Sequence, residues 1–273
     1  MKTRALISSY HMNQVLDKYS DLFHKHKIDI DTIVNNPVVT EAELFPIIAK
    51  YDGVICSDDQ FTDKVLRKAN KLKVISKWGT GLDSIDTKVA HEQGIKVYNS
   101  SGAFSESVSL YVWGMIIALT RKLLLIDSLV RNNSWEKAEG MTLAGKTIGV
   151  IGAGNIGKSV IGTGIGFQMR VLINDIKKID KTFLNKYKAS QVSKSTLLKE
   201  SDIVVLCVDL NQTSYHLISS SELKKMKKGS YIINISRGPV IDEKALIIAL
   251  CNDIIAGAGL DVFEKEPLQK NSK

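Results

Sequence analysis

TIGVIGAGNIGKSVIGTGIGFQMRVLIND, residues 147–175, is the stretch of sequence that decides the fold. An apolar run leads into Gly152-Ala-Gly154-Asn-Ile-Gly157, a segment with helical spacing follows, and a second apolar run ends at Asp175. Strand, glycine-rich turn, helix, strand and acid in this order predict a β-α-β unit that binds a dinucleotide. The first glycine allows the tight turn, the second lets a pyrophosphate approach the backbone, and the third lets the helix pack on the strand.

The acid that ends this stretch favours NAD over NADP. Asp175 lies 23 residues after Gly152, where a carboxylate accepts hydrogen bonds from the adenosine ribose hydroxyls while the helix N-terminus holds the phosphates. The same carboxylate repels a 2′-phosphate, although Lys177 and Lys178 lie close enough to moderate that repulsion. A β-α-β unit with a purely structural role is the alternative interpretation of the pattern.

Both halves of the chain repeat an α/β rhythm, which predicts mostly parallel sheets flanked by helices. We expect two Rossmann-like or flavodoxin-like α/β domains, residues 1–102 and 103–273, joined near 100–104. The predicted strands are Ala5–Ile7, Gly53–Ile55, Val74–Ile75, Val97–Tyr98, Thr147–Ile151, Arg170–Asn174, Ile203–Leu206, Tyr231–Asn234 and Ala256–Leu260. The predicted helices are Met12–Phe23, Glu41–Lys50, Thr62–Ala69, Thr87–Gln93, Ser195–Glu200, Ser221–Lys225 and Glu243–Leu250, with one long apolar helix over Glu106–Arg131.

Composition argues against several functional classes. The net charge of +8 comes from lysines spread along 273 residues, without a basic stripe interleaved with aromatic residues, so we expect no nucleic-acid partner. The longest apolar stretch, residues 110–119, is about half of a bilayer span, so we expect no membrane association. Three scattered cysteines, Cys56, Cys207 and Cys251, are typical of reduced thiols in a cytoplasmic protein, and we expect no metal site.

One motif is interpreted as a coincidence. Residues 140–147, GMTLAGKT, match the GxxxxGK[ST] pattern of nucleoside triphosphate sites. A phosphate-binding loop of that type follows a strand and opens a helix, whereas this segment runs straight into the predicted strand Thr147–Ile151. Its amides are therefore committed to a sheet edge, and we expect no triphosphate to bind there.

Three further motifs identify a family. Residues 79–86 read GTGLDSID, residues 232–242 read IINISRGPVID, and residues 259–267 read GLDVFEKEP. In this order and at these spacings, together with the glycine-rich turn, the chain resembles the D-2-hydroxyacid dehydrogenase family, which includes D-3-phosphoglycerate dehydrogenase. The resemblance runs from about residue 40 to the C-terminus.

The resemblance implies a reaction and its partners. NAD would lie on the second domain, and a hydride would move between NAD(H) and C2 of a small anionic 2-hydroxy or 2-oxo acid bound by the first, catalytic domain. A homodimer formed through residues 106–131 is also implied. The sequence does not identify which acid is the substrate.

The resemblance also assigns roles to individual residues. Arg237 would hold the substrate carboxylate and polarise its C2 oxygen, because a planar guanidinium can do both. Thr80 and Gly81 would offer backbone N–H groups to the carboxylate, and Glu266 would hydrogen-bond the catalytic histidine and raise its pKa. Cofactor contacts would come from Val108, Gly152, Gly154, Asn155, Ile156, Gly157, Asp175, Cys207, Val208, Thr213, Ile235, Ser236 and Asp261. The alternative for each of these side chains is a structural role in a turn, at a strand end or on the surface.

One departure from the family pattern leaves other functions open. The catalytic histidine belongs to a Pro-His motif downstream of the glutamate, and none of His11, His24, His26, His91 and His216 lies there. We therefore expect a C-terminally truncated chain whose second domain is incomplete. The alternative functions are a catalytically inactive NAD-binding sensor or scaffold of the same fold, or a degraded gene product that folds poorly.

Overall fold

The computed structural model describes residues 3–33 and 38–272. The chain divides into two compact units, Met1–Ala103 and Phe104–Lys273, and each is described by itself. The division falls one residue from the boundary that the sequence suggests.

The first unit is a five-stranded parallel sheet in the order β2-β1-β3-β4-β5, the strand order of flavodoxin-like folds. Its strands are β1 Thr3–Ile7, β2 Ile28–Thr32, β3 Gly53–Cys56, β4 Val74–Lys77 and β5 Lys96–Asn99. Its α-helices are α1 Tyr10–Asn13, α2 Ser20–Lys25, α3 Glu41–Leu44, α4 Asp63–Lys68 and α5 Thr87–Glu92, and short 3-10 turns lie at Leu16–Tyr19 and Ile48–Lys50. One apolar cluster, which includes Leu6, Leu44, Phe61, Leu66 and Ile75, forms its core.

The second unit is a six-stranded parallel sheet in the order β11-β10-β9-β6-β7-β8, which is the Rossmann order counted from β6. Its strands are β6 Thr147–Ile151, β7 Arg170–Asn174, β8 Ala189–Gln191, β9 Ile203–Leu206, β10 Tyr231–Asn234 and β11 Gly257–Leu260. Its helices are α6 Ser105–Thr120, α7 Leu123–Arg131, α8 Asn155–Thr163, α9 Lys181–Lys186, α10 Lys194–Glu200, α11 Ser220–Leu223 and α12 Glu243–Cys251, with 3-10 turns at Gly164–Phe167 and Gly238–Val240.

Alternate residues of the central strands enter two apolar clusters, one on each face of this sheet. On β9, Ile203 and Val205 belong to one cluster, while Val204 and Leu206 belong to the other. Both faces are therefore covered, which is why the strands read as continuous apolar runs rather than as alternating ones. The expected α/β class with two parallel, helix-flanked sheets is confirmed.

The long helix expected over Glu106–Arg131 is wrong, because the chain breaks between α6 and α7. Lys122 adopts a left-handed conformation with φ of 54°, which ends the helical hydrogen bonding, and the two helices diverge by 60°. Helix α6 buries Val112, Trp113 and Ile116, whereas α7 buries no residue. Within the described ranges, no single helix is long and apolar enough to cross a membrane, and this bent pair reaches the required length only together.

The expected helix over Met12–Phe23 is also wrong. The segment folds as α1, a 3-10 turn and α2, and among these residues only Met12 is buried. Without a continuous buried face, tertiary packing does not hold a long helix together here.

Candidate active site

The glycine-rich turn after β6 is built as its sequence predicts. Gly152 has a φ of 90°, and its N–H donates to the Asn174 carbonyl at 2.8 Å. A Cβ at Gly152 would overlap the Cys207 carbonyl, and a Cβ at Gly157 would overlap the Gly152 carbonyl oxygen, whereas Gly154 faces open space. The first and third glycines are thus needed for the turn and for packing, and the second leaves the backbone open to a ligand.

The N-terminus of α8 is prepared for an anion. Gly154 is its N-cap, and among the described residues the N–H groups of Gly154, Ile156 and Gly157 donate no hydrogen bond. Unsatisfied N–H groups at the positive end of a nine-residue helix fit a pyrophosphate. Asn155 begins this helix and is exposed, as a group at the mouth of the turn would be.

Asp175 follows β7 and braces the turn. Its Oδ2 accepts the Ala153 N–H at 2.7 Å, and its Oδ1 accepts the Lys177 N–H at the same distance. Each carboxylate oxygen can accept a further hydrogen bond, so the side chain can still bind ribose hydroxyls. Open backbone at Gly154, donors at α8 and a fixed acceptor at Asp175 together fit an adenine dinucleotide.

Arg237 stands three residues beyond the end of β10. Its half-buried guanidinium donates from Nη1 to the Ser236 carbonyl at 2.8 Å. The Asn234 side chain fixes the loop, since Nδ2 donates to the Arg237 carbonyl at 3.0 Å and Oδ1 accepts the Ser236 N–H at 3.0 Å. The Ser236 hydroxyl in turn accepts the Val208 N–H at 2.9 Å. The loop that carries the cation is therefore tied to the loop after β9.

Asp261 and Glu266 lie beyond β11. The Asp261 N–H donates to the Asn234 carbonyl at 3.0 Å, and the Glu266 carboxylate accepts the Phe263 N–H at 2.9 Å. Both side chains are exposed. Because β6, β10 and β11 run parallel in one sheet, the glycine turn, Arg237 and Asp261 all lie at its carboxyl edge, where ligands of such sheets bind.

The remaining residues expected to contact the cofactor occupy the same unit. Ile235 is buried, Ile156, Val108 and Cys207 pack partly buried against one of the two cores, and Val208 packs against the other. Burial raises the pKa of the Cys207 thiol to about 12, so this side chain carries no charge at neutral pH. Thr213 is exposed, and its hydroxyl donates to Asn211 Oδ1 at 2.7 Å.

In the first unit, Thr80 and Gly81 form a turn held by its carbonyl groups. The Gly79 carbonyl accepts the Ser100 N–H at 2.9 Å, and the Thr80 carbonyl accepts Asn99 Nδ2 at 2.7 Å. Across the part of the chain that is described, the N–H groups of Thr80 and Gly81 donate no hydrogen bond. The turn can therefore offer both donors to a carboxylate.

Sequence reasoning missed three side chains that make contacts near these loops. Lys77, buried at the end of β4, donates from Nζ to Asp58 Oδ1 at 2.7 Å and to Ser84 Oγ at 3.0 Å. His216 Nε2 lies 2.7 Å from Glu264 Oε1. Glu264 lies between Asp261 and Glu266 in the sequence. Gln191 at the end of β8 contacts the loop of Asp175. None of the three belongs to a recognisable motif; Lys77 and Gln191 end the strands β4 and β8, whereas His216 lies in the loop between β9 and β10.

No group of three or more His, Cys, Asp or Glu side chains arranged to hold a metal ion occurs in residues 3–33 and 38–272.

A sequence model of the D-isomer specific 2-hydroxyacid dehydrogenase NAD-binding domain matches residues 113–273. A glyoxylate reductase of Thermofilum pendens is 38% identical over 239 residues, which cover 84% of this chain and 70% of the relative. A hydroxypyruvate reductase of Thermotoga maritima is 36% identical over 260 residues, covering 94% of this chain and 83% of the relative.

A solved structure of D-lactate dehydrogenase from Aquifex aeolicus, complexed with NAD and lactic acid, superposes with a TM-score of 0.86. It is 30% identical, and the match covers 96% of this chain and 78% of that one. Both sequence relatives are named for reductase activity, so the comparisons do not favour a non-catalytic sensor or scaffold.

Proposed function

This chain belongs to the D-isomer specific 2-hydroxyacid dehydrogenase family, and from that premise we propose that it reduces glyoxylate and hydroxypyruvate. It is an NAD-dependent oxidoreductase that acts on a small 2-hydroxy or 2-oxo acid. The names of the two relatives support the choice of these two acids. NAD(H), when bound, supplies or accepts the hydride at C2 of the acid.

We assign cofactor binding to the second unit, which contains the glycine turn, the N-terminus of α8 and Asp175. The N–H groups of α8 neutralise the pyrophosphate, and Asp175 accepts the ribose hydroxyls. Asn155, Ile156, Val108, Cys207, Val208, Thr213, Ile235 and Ser236 line the cofactor in this proposal, and Asp261 accepts from the nicotinamide carboxamide. The first unit contributes the Thr80–Gly81 turn, whose two N–H groups hold the substrate carboxylate.

Arg237 is the residue that we propose for the reacting carbonyl. Its guanidinium can bind the carboxylate and donate to the C2 oxygen, where negative charge develops during reduction. The observation that carries this assignment is the position of Arg237 at the carboxyl edge of the sheet, in a loop fixed by Asn234 and Ser236. Glu266 would orient the general acid that delivers a proton to the C2 oxygen of the substrate.

Steady-state oxidation of NADH with each acid tests this function. We expect turnover of glyoxylate or hydroxypyruvate by the wild-type chain. We expect Arg237→Lys and Arg237→Gln to lower kcat/KM by about 100-fold or more, because neither replaces the bidentate fork. The Kd for NADH should stay within about threefold, since Arg237 lies on another loop than the glycine turn.

Two results would contradict the proposal. If the wild-type chain binds NADH tightly but turns over no 2-oxo acid, the result supports the alternative of a catalytically inactive NAD-binding sensor. If Arg237→Gln keeps most of the activity, another group polarises the carbonyl. Exposed Arg67→Gln, whose guanidinium pairs with Asp63 and Glu92 on the surface of the first unit, is a matched control that should leave kcat/KM unchanged.

We also propose that two copies of the chain associate through α7. Leu123, Leu124, Leu125, Ile126 and Val130 are exposed on this helix, and Leu110 and Tyr111 are exposed on α6. Several large apolar side chains exposed on one helix are typical of an interface. The free cysteines, Cys56, Cys207 and Cys251, support placing the enzyme in the reducing cytoplasm.

A further inference from the structure

The loop after β7 carries two kinds of charge close together. Asp175 begins it, and Lys177 and Lys178 follow, both exposed. A carboxylate held at the ribose disfavours a 2′-phosphate, whereas lysine side chains attract one. The selectivity between NADH and NADPH therefore depends on how firmly this loop holds the Asp175 carboxylate at the ribose and keeps the lysine side chains away from it.

Gln191 fastens the loop from the neighbouring strand. Its Nε2 donates to the Lys177 carbonyl at 2.8 Å and to the Asp175 carbonyl at 3.4 Å, while its Oε1 accepts the Ile179 N–H at 3.0 Å. The side chain is half-buried, and Ile179 beneath it is buried. One carboxamide thus contacts the loop at its first, third and fifth residues.

The residues that lie between these three contacts are less restrained. Ile176 at its apex is 93% exposed, and in the described part of the chain neither Ile176 nor Lys178 donates a backbone hydrogen bond. The Asp175 side chain also holds the loop, since its Oδ2 accepts the Ala153 N–H and its Oδ1 accepts the Lys177 N–H. Gln191 adds to this restraint the contacts with the Asp175 and Lys177 carbonyls and with the Ile179 N–H. Loss of the Gln191 contacts would therefore free the segment that positions both the carboxylate and the lysines.

We propose that Gln191 is a positioning residue that fixes the Asp175 loop and thereby sets the selectivity for NADH over NADPH. This inference rests on the proposed cofactor site. Without Gln191 the carboxylate is held less firmly at the ribose, because only its contacts with the Ala153 and Lys177 N–H groups remain, and Lys177 and Lys178 gain freedom to approach a 2′-phosphate. NADH binding weakens, while NADPH binding holds or improves.

The test compares dissociation constants measured by fluorescence titration of the full chain with NADH and NADPH. Gln191→Met keeps the length of the side chain but removes all three hydrogen bonds, and Gln191→Asn keeps the amide on a shorter stem. We expect Gln191→Met to raise the Kd for NADH about tenfold and to leave the Kd for NADPH unchanged or lower. Gln191→Asn should give a smaller loss. Ser190→Ala, on the same strand with an exposed side chain, is the matched control and should change neither constant.

AMP and adenosine 2′,5′-bisphosphate extend the test to the adenosine end alone, and their calorimetric Kd values should shift in the same directions. Equal weakening of NADH and NADPH in the Gln191 variants would show a merely structural role and overturn the inference, as would two unchanged constants. A wild-type chain that binds neither dinucleotide would instead refute the proposed function.

Discussion

Lys77 illustrates what a single buried charge demands of its neighbours. Its side chain is only 2% exposed, whereas that of its partner Asp58 is 67% exposed. The cost of removing one partner therefore differs between the two sides of this ion pair, because a buried ammonium without a counter-charge is far less tolerable than a hydrated carboxylate.

We expect Asp58→Ala to lower the free energy of unfolding by about 2 kcal/mol, because it removes the carboxylate that is hydrogen-bonded to the buried Lys77 ammonium and, among the described residues, leaves only the charge of Asp59 nearby. Lys77→Met should cost less than half as much, since an apolar side chain of similar size fills the same space and Asp58 stays hydrated. Urea denaturation of both variants measures the difference. A larger loss for Lys77→Met than for Asp58→Ala would contradict this account.

At the scale of single residues, the sequence predicts residues whose roles follow from backbone geometry. It misses residues whose roles depend on partners that are distant in the sequence. Gly152 and Gly157 could be recognised from spacing alone, because only a residue without a Cβ fits those turns. Gln191 and His216 could not, since their partners come from loops that only the folded sheet brings to them. The role of Arg237 stays a prediction that its two variants test, and the roles of Glu266, Thr80 and Gly81 stay predictions.

At the scale of elements, burial decided which ones could be predicted. The four strands β6, β7, β9 and β10 begin and end where expected, because each is an apolar run covered on both faces. Strands β2 and β8 and helix α9 were missed, since they are short and at most half-buried. The break at Lys122 was also missed, because no feature of the sequence indicates that this lysine adopts a left-handed conformation.

The capping box of α11 leads to a prediction for acid stability. Burial pushes the pKa of Glu222 upwards, but hydrogen bonds from Ser219 and Ser221 and the charge of Lys194 outweigh it and lower the pKa to about 2. A folded pKa below the unfolded value of 4.5 means that the carboxylate stabilises the fold above pH 4.5 and loses this contribution as the pH falls towards 2.

We therefore expect Glu222→Gln to reduce the free energy of unfolding by about 2 kcal/mol at pH 7 and by much less near pH 3. Urea denaturation at a series of pH values measures both curves. Glu200→Gln, which removes only an exposed ion pair with Arg170, should cost less than about 1 kcal/mol. Parallel curves for wild type and Glu222→Gln over this range would contradict the prediction.

At the scale of the whole molecule, the order of motifs was enough to predict the fold class and the family. The family and the NAD cofactor are confirmed, since the match covers residues 113–273 and the relatives cover most of the chain. The sequence does not show whether the apolar residues of α7 pack into a core or contact another copy of the chain. A pattern of leucines looks the same whether it faces a core or another copy of the chain.

Association through α7 is tested by sedimentation velocity. Leu124 is 76% exposed, and we expect Leu124→Glu to shift a dimer towards monomer by at least tenfold in Kd, because a charge is buried in an apolar contact. Ile248→Glu, an equally drastic change at an exposed position of α12, should leave the dimer intact. A wild-type chain that sediments as a monomer at micromolar concentration would remove the basis of this proposal.

Trp113 gives the second unit a built-in optical reporter. Its ring is 3% exposed and stacks on Phe167, and its indole N–H donates to the Val160 carbonyl of α8, the helix that starts at the glycine turn. Indole shielded from water emits at shorter wavelength than indole in solvent, and that emission overlaps the absorption of a reduced nicotinamide. In a chain whose Trp78 and Trp135 have both been changed to phenylalanine, energy transfer from Trp113 would report the arrival of the coenzyme without any attached dye.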